Sequence, residues 1–334
     1  MKNLITFLIL FFSSLDLSAQ IMTTKIATPK IDDKIQTPPS GKQPYDSSKN
    51  FVGKDVYSLI GETLYVLPRP KNLQKYGYDN FLLDYKIDKL ERPNGKPNVY
   101  KCCDGYNSQY SELKEQSFTV LDVIEHPKMG DRSGLYNTNY FFKLVQNASK
   151  DTVYLEYDSK YSSRFDHIVV MGFFTKQKTA SIGKEFIIMG KNWRETVYNE
   201  HKPLYDMVTG KEVKLVRGSV WKVVDLIVEE EYFTLSYVIQ NSSGNKLTLN
   251  MRSAHDSQFL RRVFEKSKVD YIIQDYPHYW EKIMESKVVV GMTEEMVRLS
   301  FGDPDKINHS SYGTQWVYGS QYLYFEKGKL KAFN

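Results

Sequence analysis

Cysteine is almost absent from this chain: there are two among 334 residues, Cys102 and Cys103, and they are neighbours. With no second pair and no histidine at ligand spacing, they do not read as a metal site. In an oxidising compartment adjacent cysteines form a vicinal disulfide, pair between chains or stay free. Histidine is also scarce. The six residues, His126, His167, His201, His255, His278 and His309, form neither HExxH nor HxH, and no GxSxG elbow occurs. Two stretches, Phe165–His167 and His255–Ser257, do place an acid beside an imidazole. A hydrolase can use such a pair with a distant serine, but a solvated hydrogen bond at a loop or sheet end is its commoner use. No basic block accompanies the formal charge of +5, which argues against a nucleic-acid partner. Outside the first residues there is no long apolar run, so no transmembrane segment is expected.

What is present begins with Lys2, the apolar run Leu4–Phe12 and small residues up to Ala19. That order of charge, apolar core and small residues predicts a signal peptide over 1–19 and an exported protein, periplasmic, secreted or peripheral to the outer membrane. A lipoprotein needs a cysteine at the cleavage site, so no lipid anchor is expected. Residues 20–50 are rich in Pro, Ser, Thr and Lys without apolar periodicity, and read as a disordered linker. The remaining length exceeds the ~100–200 residues of one ordinary domain. With 25 Tyr and 18 Phe, the composition favours strands.

Self-similarity organises the middle of the chain. Phe51–Asp55 (FVGKD) resembles Ser181–Glu185 (SIGKE), Phe118–Ile124 (FTVLDVI) resembles Trp221–Ile227 (WKVVDLI), and Leu144–Tyr157 resembles Val238–Met251. The reading is two tandem small antiparallel β-barrel or roll units of SH3-like type, over 51–178 and 179–260, with Gly53 and Gly183 at their entries. Copy one carries an insertion at about 69–116 that should protrude with Cys102 and Cys103. Apolar alternation marks hairpins in both: Phe141, Lys143 and Val145 then Val153, Leu155 and Tyr157; Leu235, Tyr237 and Ile239 then Leu247 and Leu249. Asp151–Val153 also matches a short bacterial O-glycosylation pattern, and is read as strand.

Leu260, Val263 and Phe264 recur at helical spacing, giving a helical connector over 261–276, and Tyr279, Ile283 and Met284 continue it after Pro277. Next, Thr293 caps "EEMVRL", with Met296, Val297 and Ser300 or Phe301 inward and Gly302, Asp303 and Pro304 as the exit. Turns at Gly319–Ser320 and Lys327–Gly328 divide the rest into three strands. The combination of "GMTEEMV", "FGDP", "QWVYG" and "YFEKGKL" over 277–334 resembles the SmpA/OmlA (BamE-like) outer-membrane assembly family. The resemblance implies two helices against a three-stranded antiparallel sheet, an interaction module and no catalytic residues. The predicted register opposes Tyr318 to Gln321, Val317 to Tyr322, Trp316 to Leu323, Phe325 to Leu330 and Leu323 to Ala332. It leaves Val317, Tyr322, Tyr324, Lys331 and Phe333 on a face that meets either the neighbouring β-unit or a partner.

The sequence thus reads as mainly β with an α+β tail. The expected function is non-catalytic binding or scaffolding at the cell envelope, with an unidentified envelope protein as partner and no cofactor or metal. The competing reading is a secreted hydrolase, or a carbohydrate-binding accessory, with its site between the two β-units.

Overall fold

The computed structural model describes residues 26–27, 43–160, 167–189, 204–229, 234–251, 263–311 and 313–334. The chain is mainly β, in several antiparallel sheets. Its strands are β1 (Ile26–Ala27), β2 (Thr63–Val66), β3 (Phe81–Leu82), β4 (Cys102–Asp104), β5 (Asn107–Ser108), β6 (Ser117–Glu125), β7 (Asn139–Gln146), β8 (Thr152–Asp158) and β9 (Ile168–Val170). There follow β10 (Glu185–Ile188), β11 (Ser219–Glu229), β12 (Thr234–Asn241), β13 (Lys246–Asn250), β14 (Val263–Glu265), β15 (Lys306–Ser310), β16 (Gly313–Tyr318), β17 (Gln321–Glu326) and β18 (Lys329–Phe333). Helices α1 (Lys71–Gln74) and α2 (Tyr110–Leu113) are single turns; α3 (Met171–Ser181), α4 (Lys266–Asp275), α5 (Pro277–Met284) and α6 (Glu294–Phe301) are longer.

One sheet runs β3–β8–β7–β6–β2–β9 and another β13–β12–β11–β10–β14, so five strands of the first recur in the same order in the second, β3 being extra. The repeat extends to detail. Between Val120 and Asp122, and again between Val223 and Asp225, the central strand bulges. A bulge leaves the next amide without a ladder partner, and the same aspartate supplies it each time: Val123 N donates to Asp122 Oδ1 at 2.8 Å, and Leu226 N to Asp225 Oδ1 at 2.7 Å. The recurring "LD" and "VD" of the sequence are therefore bulge chemistry.

Register corrects the sequence alignment in two places, and one helical expectation. The counterpart of Gly183 is Gly61 in "LIGE", and not Gly53: Gly61 N donates to Val120 O at 2.8 Å and Gly183 N to Val223 O at 2.9 Å. Both take positive φ, 92° and 90°, which glycine adopts without a Cβ clash. Leu144 corresponds to Ile239 rather than Val238, because each opposes the residue before its bulge. The odd residue lies in the following turn, so Phe142 and Leu144 face the core of β7, where Phe141 and Val145 were expected. Val263 and Phe264 form β14 against β10 and are not helical; the edge of β10 needs a partner, and tertiary pairing outweighs a weak helical period.

Residues 43–50, expected as linker, are folded. Tyr45 is buried in the first core, and Asn50 acts as a backbone mimic, donating to Ile168 O and accepting from Val170 N, each at 2.8 Å. Nor does the insertion simply protrude: Tyr78, Phe81, Tyr100 and Leu113 enter the same core, and β3 forms the sheet edge on β8. That core is continuous across both copies. Helix α3 joins them, touching β2 and β9 of the first and β11 of the second. Val170 provides no side-chain cap for α3; instead the Glu62 carboxylate, pushed up by burial, accepts from Gly172 N.

A second core lies under the tail. Ile187 and Met189, from the other face of β10 and just beyond it, join Val269 and Ile272 of α4, Ile283 of α5, Met296, Val297 and Leu299 of α6, and Trp316, Leu323, Phe325 and Leu330. The expected module boundary at 277 runs through this core. Arg217 fastens the junction: its guanidinium donates to Met189 O (2.7 Å), Ile283 O (2.9 Å), Ser300 O (2.9 Å) and Leu299 O (3.3 Å). It thus joins the exit of β10 to the negative C-terminal ends of α5 and α6.

Candidate functional site

The tail carries the residues singled out by sequence. Thr293 Oγ1 accepts from Met296 N at 3.2 Å and caps α6, and Gly302 leaves the helix at φ 92°. The sheet runs β15–β16–β17–β18, four strands where three were expected; Lys306–Ser310 pairs along β16. The β16–β17 turn gives the expected register, with Tyr318 opposite Gln321, Val317 opposite Tyr322 and Trp316 opposite Leu323. Phe325 opposes Leu330, but a bulge next to it shifts the rest of β18, so Leu323 opposes Phe333 and Tyr324 opposes Ala332.

Trp316, Leu323, Phe325 and Leu330 are buried against the helices, with the Arg298 guanidinium 4.9 Å over the Trp316 ring. Outward, Tyr322 and Tyr324 project from β17 at 37% and 41% exposure. Val317 lies beside Tyr322 and Gln315 beside Tyr324, and Asn308 donates to Gln315 at 2.9 Å. Lys331 pairs with Glu326 at 3.6 Å on this side, whereas the bulge moves Phe333 to the Leu323 position, 48% exposed at the sheet end. Among the described residues neither β-unit covers the two tyrosines.

Cys102 and Cys103 are joined by a disulfide across a cis peptide in the β4–β5 hairpin, both half-buried. The hairpin is held by its surroundings: Tyr78 stacks on Tyr110, and Tyr100 Oη donates to Asp151 at 2.7 Å, tying the insertion to the β7–β8 turn. Among the described histidines, His126 stacks on Tyr136 at 4.2 Å and on Phe141 at 5.3 Å; burial lowers its pKa. His167 sits at φ 59° with its carbonyl accepting from Leu67 N. His201, His255 and the Phe165–Asp166 pair lie outside the described residues. No group of three His, Cys, Asp or Glu among the described residues is placed to hold a metal.

Two clefts are open. One, of 460 Å³, is lined by Tyr45, Asp46, Lys49, Lys54, Asp55 and Tyr57. The other, of 280 Å³, lies between β10 and α4, and its charges answer one another: Lys266 meets Asp270 at 2.8 Å and Glu185 at 3.9 Å, and Lys184 meets Glu265 at 4.0 Å.

Sequence reasoning passed over one buried polar group. Glu229, 2% exposed, accepts from Ser236 at 2.6 Å and from Thr248 at 2.7 Å on the outer face of the second sheet. Its counterpart by register is His126, and that of Ser236 is Phe141, so an aromatic stack in one copy stands where the other has a carboxylate and hydroxyls. Repeat alignment at the corrected register would have found it. Compared with known proteins, the chain matches no family model, no curated protein and no solved structure.

Proposed function

We propose that the chain is an exported, non-catalytic binding or scaffold protein of the cell envelope whose C-terminal sheet contacts a partner protein. The observation that carries this reading is the exposed Tyr322 and Tyr324 pair on a sheet whose opposite face buries Trp316, Leu323, Phe325 and Leu330. Tyrosine supplies large contact area with a polar tip at little conformational cost, which suits it to interfaces. Two finer readings go with it. The tail is a BamE-like module, supported by helices α5 and α6 preceding an antiparallel sheet. Each β-unit is an SH3-like roll, supported by the bulge at the same point of both central strands.

The test is the double substitution Tyr322→Ser with Tyr324→Ser in the full chain. Thermal stability should stay within the ~0.5 kcal/mol typical of surface changes, while proteins that co-purify from envelope fractions are lost. Unchanged co-purification at unchanged stability would dismiss the face as an interface.

A further inference from the structure

We propose that the outer half of the β11 edge is a strand-acceptor site, and that its resident occupant is the chain's own N-terminal segment around Ile26 and Ala27. Strand β10 pairs with β11 from Ser219 to Lys222, and Gly183 and Lys184 just before it bond to Val223, so the cover ends at the bulge. Past the bulge, Leu226 donates to the Asp225 side chain, so its N–H points away from β12, and alternation places the Val228 N–H on the same open side. There the chain returns: Ala27 pairs with Val228 and Ile26 with Glu229, antiparallel. The described part of this pairing is Ile26 and Ala27.

The two copies differ at this edge in the way an acceptor site requires. In copy one the position equivalent to Val228 is Glu125, which is exposed, and no described strand pairs with it on that side. A charge on an open edge repels strand addition. In copy two the same stretch is apolar and covered: Ile227 is 1% and Val228 0% exposed, followed by the buried Glu229. One edge is built to stay bare and the other to be occupied. Main-chain pairing supplies the attraction in such additions, so the segment expected to be a disordered linker acts as an intramolecular ligand.

The experiment is amide hydrogen exchange on the full chain, comparing the natural sequence with Ala27→Pro, which removes the donor that faces Val228. Exchange at Val228 should rise by ~10-fold or more, as expected when a local pairing opens, with Leu249 and Leu323 unchanged. A synthetic peptide of residues 22–30 added to the Ala27→Pro chain should restore protection at Val228, and the same peptide carrying its own Ala27→Pro should not. Equal Val228 exchange in the two chains overturns the proposal, as does protection restored equally by both peptides.

Discussion

Replacing Arg217 by Ala tests whether the tail is held to the second β-unit by hydrogen bonds or by packing alone. The guanidinium serves four carbonyls, three of them in the last turns of α5 and α6. Hydrogen bonds involving a charged group contribute roughly 1.5–3 kcal/mol each when well buried. Arg217 is half-buried and the freed carbonyls gain some water, so the low end applies and the contributions do not add fully. The expected loss is about 3 kcal/mol, within the range for breaking one partner of a buried charged network. Arg217→Lys keeps the charge without the fork and should recover less than half. A chain of this length does not unfold in one step, so the readout is site-resolved hydrogen exchange. Protection should fall in α5, α6 and β16 while β6 and β7 are unaffected. A loss below about 1 kcal/mol, or a Lys variant indistinguishable from the natural chain, would refute the clamp and leave the second core as the sole fastening.

Asp206 holds the 206–210 turn and the start of β13, accepting from Thr209 N at 2.6 Å, Thr209 Oγ1 at 2.8 Å and Lys246 N at 2.6 Å. Burial pushes its pKa up, but the Lys246 and Thr209 donors outweigh burial and hold it at about 2 against the usual 3.8. A carboxylate depressed by folding stabilises above its unfolded value and loses that contribution as pH falls. Acid unfolding between pH 3.8 and 2 should therefore be shallower in Asp206→Asn, which should also cost about 2 kcal/mol at neutral pH, read by hydrogen exchange at Lys246. Thr293→Ala removes the α6 cap and should cost about 1 kcal/mol, seen as faster exchange at Met296. Gly61→Ala and Gly183→Ala should cost alike, about 1–2 kcal/mol each by hydrogen exchange in β6 and β11, because both hold the same positive φ at the same junction.

Local chemistry made the α6 cap, the Pro277 start and the Gly319–Ser320 turn legible in the sequence, since each depends on a few adjacent residues. Turn identity also fixed Trp316 opposite Leu323. The register beyond Phe325 was not legible, because a bulge adds one residue without a signature in composition. The repeat was visible in its hydrophobic markers, yet the sequence puts Gly53 first among them, and the bond to Val120 shows that Gly61 is the counterpart of Gly183. Val263 and Phe264 failed for the opposite reason: a few residues at an apolar spacing fit either period until β10 supplies a neighbour. Tyr322 and Tyr324 were readable as an outer face. Arg217 was not, since its partners are carbonyls from segments far apart along the chain.

The placement of α3 has a consequence for how many copies such a chain can hold. The helix closes one sheet and opens the next, and α4 stands after β14 as α3 stands after β9, offering a third sheet the same seat. That seat is taken by the tail, whose core reaches back to Ile187 and Met189. In an array where each repeat contacts only its neighbours, something must end the stack with a surface that water tolerates. The C-terminal sheet stands in that place: its apolar face packs on α4, α5 and α6, and on the function proposed above its Tyr322 and Tyr324 face is left for a partner where a third repeat would otherwise stack.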